Sequence, residues 1–334
     1  MQQRTAAASK CLPGLALCFA IAIVAFALGR ALPVVGGPVF GIVLGMVVAV
    51  LRRKRAPALD AGIAFSARGL LQFSIILLGA NLELRAIVFI GLQSLPVMLG
   101  TLVVTLTAAY GIGRLLGIER DLRRLLGVGT AICGGSAIAA LSSVLESSPA
   151  DVAYSIATVF LFNIVAVLVF PALGHLMGLS QHAFGLWAGT AINDTSSVVA
   201  AGFAYGHIAG NEGVIVKLTR TTLIIPIVLF YAARKIAASR RSGDVNWKNV
   251  VPWFVLWFFV AALLNTFGVV PQGLHSALAA IALFLIVVAL CGVGLGADFA
   301  RMRAAGWRPL LLGGILWILI AASSLAIAHF SGHV

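Results

Sequence analysis

The sequence predicts an all-α polytopic membrane protein, and three features of its composition support this fold class. Hydrophobic residues make up 61% of the 334 residues and charged residues only 10%, whereas about 25% of the residues in a soluble domain are charged. The mean hydropathy is +1.08. The 36 glycines and 11 prolines suit membrane helices, which hold more of both than soluble helices do. A soluble globular enzyme is therefore excluded.

Eleven apolar stretches are long enough to cross a bilayer, since a hydrocarbon core about 30 Å thick needs about 20 residues of helix. Charged or turn-forming residues bound each stretch. The predicted spans are residues 12–29, 33–51, 62–82, 86–112, 125–145, 152–177, 183–205, 213–233, 250–268, 274–296 and 309–330. No connecting segment is long enough to fold outside the membrane, so we expect a single transmembrane domain over residues 1–334.

The net charge of +13 follows the expected membrane topology. Basic residues concentrate in cytoplasmic loops, and with a cytoplasmic N-terminus 18 of the 23 Lys and Arg residues fall there. The exceptions are Arg30, Arg68, Arg85, Lys217 and Arg220. An odd number of spans then places the C-terminus on the periplasmic or extracellular side. The excess of basic residues is therefore explained by membrane topology, with the lipid bilayer as the partner. Nucleic acid is excluded as a partner.

Two similar segments predict helices that break within the membrane. Residues 129–136 (GTAICGGS) and 189–196 (GTAINDTS) are identical at five of eight positions. The residues after the shared GTAI are poor helix formers: Gly134 and Gly135 in one segment, and Asn193, Asp194, Thr195 and two serines in the other. Discontinuous helices of this kind form substrate sites in secondary transporters. The alternative for the glycine pair is close packing of helices through small residues.

A second pair of segments, residues 78–82 (LGANL) and 295–299 (LGADF), ends the third and tenth spans. These two spans run in opposite directions, as an inverted repeat requires. The two GTAI spans run in the same direction unless one of them is re-entrant. We therefore predict inverted repeats without assigning their boundaries.

Charged side chains inside the predicted spans mark a candidate binding site, because an unpaired intramembrane charge is costly. Lys217 and Arg220 are three residues apart and share a helix face. The guanidinium fork of arginine matches oxyanions, and helix N-termini attract anions. We predict a sulfate-like site formed by the two cations and the residues of both breaks: Gly134, Gly135, Ser136, Asn193, Asp194, Thr195, Ser196, Lys217 and Arg220.

Asp194 has more than one interpretation. In an anion site it is the proton-coupling group or the counter-charge of the empty site. In a cation/proton antiporter it is the centre of a cation site, with Arg220 as its internal counter-ion. The third interpretation is purely structural: Asp194 and Arg220 form an ion pair that keeps two helices in register. Asn163 in the sixth span can cap a broken neighbouring helix or form a hydrogen bond across helices, and we favour packing as its role.

Other motifs exclude further classes of function. The four cysteines show no CxxC spacing and the six histidines no HExxH spacing, so neither a metal site nor a metalloenzyme is predicted. There is no GxxxxGK[ST] loop for an ATP-driven pump and no GxSxG for a hydrolase. We expect a protein that is not an enzyme and needs no cofactor.

Three runs, residues 126–138 (LGVGTAICGGSAI), 189–201 (GTAINDTSSVVAA) and 216–220 (VKLTR), resemble the YeiH family of bacterial inner-membrane proteins. The resemblance extends over nearly the whole chain. Members of this family are described as sulfate exporters, and the resemblance implies a secondary transporter related to the bile-acid and arsenite transporter superfamily, with inverted repeats and crossing broken helices. It also implies a location in the bacterial inner membrane.

The sequence thus predicts a secondary active transporter of a small anion, with sulfate or a related sulfur oxyanion as lead substrate and alternating access around a midplane site. The sequence is compatible with coupling to a proton or a sodium ion. It is also compatible with a homo-oligomer. The first alternative is a cation/proton antiporter centred on Asp194. The second is a membrane-embedded enzyme or a sensor without transport.

Overall fold

The computed structural model describes residues 2–32, 36–52, 57–239, 253–297 and 307–332. Within these ranges the regular elements are helices, and no strand occurs there. The prediction of an all-α polytopic membrane protein is confirmed.

Fifteen α-helices lie in the described ranges. They are α1 (Gln2–Ala31), α2 (Gly36–Leu51), α3 (Pro57–Phe65), α4 (Leu71–Gly79), α5 (Leu84–Leu115), α6 (Arg120–Ala131), α7 (Gly135–Leu145), α8 (Pro149–Leu176), α9 (Gln181–Ala191), α10 (Thr195–Tyr205), α11 (His207–Thr222), α12 (Ile224–Ser239), α13 (Trp253–Thr266), α14 (His275–Leu295) and α15 (Trp307–Phe330). A π-helical turn, Ser66–Leu70, joins α3 to α4, and a 3₁₀ turn, Gln272–Leu274, precedes α14.

Helix lies in each of the eleven predicted spans. Seven helical segments of the described chain are long and apolar enough to cross a membrane, and α2 and α13 are shorter apolar helices. The other two predicted spans, residues 125–145 and 183–205, are each divided into two helices. Residues 33–35 and 250–252, which begin two of the predicted spans, lie outside the described residues.

One connection differs from the sequence-based expectation. The predicted spans leave a loop over residues 206–212, but α11 begins at His207 and only Gly206 separates it from α10. The amide of Gly206 donates to Gly202 O at 2.9 Å, and the amide of Gly210 donates to Gly206 O at 2.9 Å. The polar residues Asn211 and Glu212 end the apolar stretch without ending the helix, because neither removes a backbone hydrogen bond as proline does.

The chain divides into two compact units. The first comprises residues 1–88, 199–211 and 253–297, and the second comprises residues 89–198, 212–252 and 298–334. Both sequence-similar GTAI segments, Lys217 and Arg220 belong to the second unit. The single transmembrane domain over residues 1–334 stays a prediction.

Glycines bring the helices of the first unit close together. A Cβ added to Gly45 of α2 would lie 2.5 Å from the carbonyl oxygen of Cys291 and 3.1 Å from the Cα of Gly294, both on α14. Cys18 and Cys291 are fully buried in the apolar core of α1, α3 and α14. Small residues let helix backbones approach closely where water supplies no driving force for packing.

The residues of the predicted inverted repeat lie at helix ends of this unit. Gly79 is the last residue of α4 and Leu295 the last of α14. Residues 298–299 of the second segment lie outside the described residues. The inverted repeat stays a prediction.

Candidate functional site

The first GTAI segment breaks its helix where the glycines predicted. Helix α6 ends at Ala131, Ile132 has φ −122° and ψ −89°, and α7 begins at Gly135 after Gly134 with φ 67° and ψ −125°. Only glycine adopts this last conformation without strain. A Cβ on Gly129 would lie 2.7 Å from the side chain of Ile138, whereas straight helix would separate the two residues by about 14 Å. The chain therefore folds back on itself at this break.

The glycine pair is not explained by close helix packing. A Cβ on Gly135 would meet no atom within 4 Å, and one on Gly134 would be 3.4 Å from its nearest neighbour, Val159. Gly134 is needed for its positive φ, and Gly135 begins α7 beside open space. Ser136, the next residue, is exposed.

The second GTAI segment also breaks its helix. Helix α9 ends at Ala191, Ile192 is extended, and α10 begins at Thr195. Asp194 caps α10, because its Oδ2 accepts from the Ser196 amide at 3.0 Å and also from the Ser196 hydroxyl. A short side-chain acceptor at this position satisfies a free helix amide.

The chain bends sharply at this second break too. A Cβ on Gly213 of α11 would lie 3.1 Å from Cγ1 of Val198 and 3.5 Å from the carbonyl oxygen of Gly185. A straight helix would separate residues 185 and 198 by about 20 Å. Both GTAI segments therefore turn the chain. The direction in which each crosses the membrane stays a prediction.

Asn163 of α8 joins the two breaks. It is 2% exposed, and its Oδ1 accepts from the backbone amide of Asn193 at 3.2 Å. A Cβ on Gly134 would lie 3.9 Å from Asn163 Nδ2 and 3.9 Å from the carbonyl carbon of Asn193. Asn163 is thus a bridge between the two turns. The hydrogen bond to a broken neighbouring helix was an alternative from the sequence, and the structure shows this bond where packing was favoured.

Arg220 is fully buried and donates to the ends of two helices. Its Nε donates to Ala131 O of α6 at 2.7 Å, and Nη2 donates to the same oxygen. Nη1 donates to Thr190 O of α9. The guanidinium fork therefore holds a backbone carbonyl, and the same side chain cross-links both breaks.

Lys217 repeats this arrangement one turn earlier on α11. Its side chain is fully buried, and Nζ donates to Ile132 O at 3.2 Å. Carbonyl groups at a helix C-terminus lack partners within the helix and carry partial negative charge. Both cations thus neutralise the negative ends of α6 and α9.

Among the described residues, neither Lys217 nor Arg220 forms an ion pair within 4 Å. The pair of Asp194 and Arg220, considered as a structural alternative from the sequence, is wrong. Asp194 is partly exposed and is held by Ser196 instead. The candidate site therefore contains two buried basic side chains and one partly exposed acidic side chain.

Unpaired amides begin the two helices that come after the breaks. No acceptor within the described chain takes the amide protons of Gly135, Ser136, Thr195 or Ser197. Gly135 and Thr195 are partly exposed. Helix N-termini with free amides attract anions, and these two lie beside the bridge formed by Asn163.

One polar atom in the bridge has no partner. Asn193 is 1% exposed, and its Oδ1 forms no hydrogen bond. A buried polar atom without a partner is uncommon and is often explained by function. The structure thus brings all nine predicted site residues into two adjacent turns and the α11 face that donates to the helix ends before these turns. No cluster of three or more metal-binding side chains occurs in the described part of the chain.

Comparison with known proteins gives one consistent result. A family model described as Conserved hypothetical protein 698 matches residues 13–313. A UPF0324 membrane protein of Fusobacterium nucleatum is 38% identical over 96% of this chain and 98% of its own length. A UPF0324 membrane protein of Streptococcus pyogenes is 40% identical over 94% of this chain and 96% of its own length. One of Streptococcus mutans is 39% identical over 96% of this chain and 97% of its own length.

Proposed function

The chain belongs to the UPF0324 membrane protein family, and we propose that this multi-pass membrane protein is a secondary active transporter of a small anion. Sulfate or a related sulfur oxyanion is the lead substrate, and alternating access carries it past the paired helix breaks. The protein lies in the bacterial inner membrane with a cytoplasmic N-terminus and a periplasmic or extracellular C-terminus. It is not an enzyme and needs no cofactor.

The observation that carries this proposal is the pair of buried cations without a carboxylate partner. Lys217 and Arg220 are both 0% exposed, and each donates to backbone carbonyls. Carbonyl dipoles compensate only part of a full charge, and an uncompensated charge in a membrane is costly. A bound anion supplies the missing negative charge, so the site favours anions over cations.

The anion binds at the helix N-termini that follow the two breaks. The free amides of Gly135, Ser136, Thr195 and Ser197 are its hydrogen-bond donors, and the hydroxyls of Ser136 and Thr195 can add to them. The fork of Arg220 already holds Ala131 O, so its contribution to the anion is its charge. The direct bidentate contact expected from the sequence is therefore replaced by a longer-range attraction.

The alternative, a cation/proton antiporter, depends on Asp194. In that function Arg220 is the internal counter-ion of Asp194, but the two side chains form no ion pair. Asp194 instead caps α10 through Ser196. Asparagine can form the same cap, so Asp194→Asn separates the charge of this residue from its structural role.

The test is uptake of labelled sulfate by purified protein in liposomes. We expect saturable uptake that sulfite and sulfonates inhibit more strongly than chloride does, and loss of uptake in Arg220→Ala. Arg124→Ala is the matched control, because Arg124 also lies in the second unit but pairs with Asp121 at 3.0 Å. It should transport as the wild type does.

Asp194→Asn decides between the two functions in the same assay. Removing a negative charge beside an anion site should leave sulfate uptake, measured at equal pH on both sides, intact or increase it. If sulfate neither moves nor competes, and Asp194→Asn abolishes a pH-driven cation exchange, the antiporter is correct and the anion transporter is refuted.

A further inference from the structure

Backbone carbonyl oxygens at two helix C-termini face α11 in the second unit. Ala131 and Ile132 supply them at the end of α6, and Thr190 supplies one near the end of α9. In transporters with discontinuous helices, such carbonyls and half-helix C-termini coordinate the coupling sodium ion. These oxygens are hard ligands of the kind that sodium prefers.

Side chains of the protein itself fill these cation positions. Arg220 donates to Ala131 and Thr190, and Lys217 donates to Ile132. Both side chains are inaccessible to solvent. We propose that Lys217 and Arg220 are tethered substitutes for a coupling sodium ion, so that the transport proposed above proceeds without sodium. This inference rests on the proposed function.

Electrostatics supports the substitution. A sodium ion at the same carbonyls would sit within a few ångströms of two fixed positive charges, and like charges repel strongly where water is excluded. The carboxylate of Asp194, the acidic residue of the site, accepts from Ser196 at the start of α10. It is therefore engaged as a helix cap and is not a ligand grouped with these carbonyl oxygens. The tethered cations also stay in place through the transport cycle, whereas a coupling ion leaves with the substrate.

The first experiment replaces sodium with N-methyl-D-glucamine on both sides of proteoliposomes that contain the wild-type protein. Initial rates of sulfate uptake at fixed pH and ionic strength should agree within about twofold. A fall of about tenfold or more overturns the inference while leaving the anion transporter intact. If no anion moves in either buffer, the proposed function fails, and the second experiment alone decides whether the two side chains occupy cation positions.

The second experiment needs no transport. Arg220→Ala leaves the carbonyls of Ala131 and Thr190 without their cation, and guanidinium ion in solution can refill the position. Guanidinium chloride at about 10 mM should raise the thermal midpoint of this variant by about 2 °C or more, since a ligand that binds only the folded state stabilises it. Wild type and Arg124→Ala should show no rise, with sodium chloride at equal ionic strength as reference.

Equal shifts in all three proteins refute the tethered-cation role, because guanidinium then acts elsewhere. If Arg220→Ala does not yield folded protein, Lys217→Ala with methylammonium ion provides the same test at Ile132 O, with the same expected rise. A rise confined to the variant, in a protein that shows no sulfate uptake, supports the cation positions and refutes only the transport of sulfate.

Discussion

Replacing Arg220 with glutamine should weaken anion binding in proportion to the charge of the anion. Glutamine keeps amide hydrogens for Ala131 O or Thr190 O but removes the positive charge. Arg220 lies 2.7 Å from Ala131 O, and a turn of three residues separates Ala131 from the free amides of α7. We take about 8 Å between guanidinium and anion, which at an effective dielectric of about 20 gives about 2 kcal/mol for each unit of anion charge.

This energy corresponds to about 30-fold in the dissociation constant of a monovalent anion and about 1,000-fold for a divalent one. The assay is equilibrium binding of labelled sulfate to detergent-purified protein, with methanesulfonate as the monovalent competitor. Arg220→Lys is the matched variant: it keeps the charge, although one ammonium group cannot reproduce the cross-link of Ala131 to Thr190. Sulfate affinity in this variant should stay within about tenfold of wild type.

Equal losses of sulfate and methanesulfonate affinity in Arg220→Gln would refute this reasoning. They would show that Arg220 acts by holding the two breaks in shape and not by its charge. A loss as large in Arg220→Lys as in Arg220→Gln would lead to the same conclusion.

Two further predictions concern the breaks. Gly134→Ala should lower the thermal midpoint of unfolding, because a side chain at φ 67° costs about 1–3 kcal/mol. Gly135→Ala should leave the midpoint unchanged, because its new Cβ meets no neighbour within 4 Å. Equal effects of the two substitutions would contradict the strain argument. Asn163→Leu removes the acceptor of the Asn193 amide, at a cost of about 1–3 kcal/mol, and should reduce sulfate uptake at least about tenfold. Asn81→Ala, which removes only a bond to Leu77 O, should transport normally.

The spans and breaks were predictable because their causes are local. A long apolar run predicts a membrane helix from composition alone. Gly134 ends such a helix because glycine adopts a positive φ without steric strain. Asp194 likewise predicts a cap through its own short side chain. None of these signals depends on what the rest of the chain does.

The partners of Lys217 and Arg220 were not predictable from local patterns. Each cation contacts α6, 85–89 residues earlier in the sequence, and the sequence does not show that the carbonyl end of that helix faces α11. An acidic partner, Asp194, was the simpler expectation. Asn163 did leave a signal, since a lone amide in the long apolar helix α8 needs a polar partner once it is buried. The reversal of the chain at both breaks depends on packing against α8 and α11, which no local pattern encodes.

The most direct test of the central claim is to locate a sulfate analogue in the protein. Selenate has the shape and charge of sulfate, and anomalous scattering from its selenium identifies its position without ambiguity. We predict a peak beside the free amides of Gly135 and Thr195, and loss of that peak in Arg220→Gln. A peak found only at the arginines of residues 120–124, or one at the breaks that persists in Arg220→Gln, would contradict this prediction.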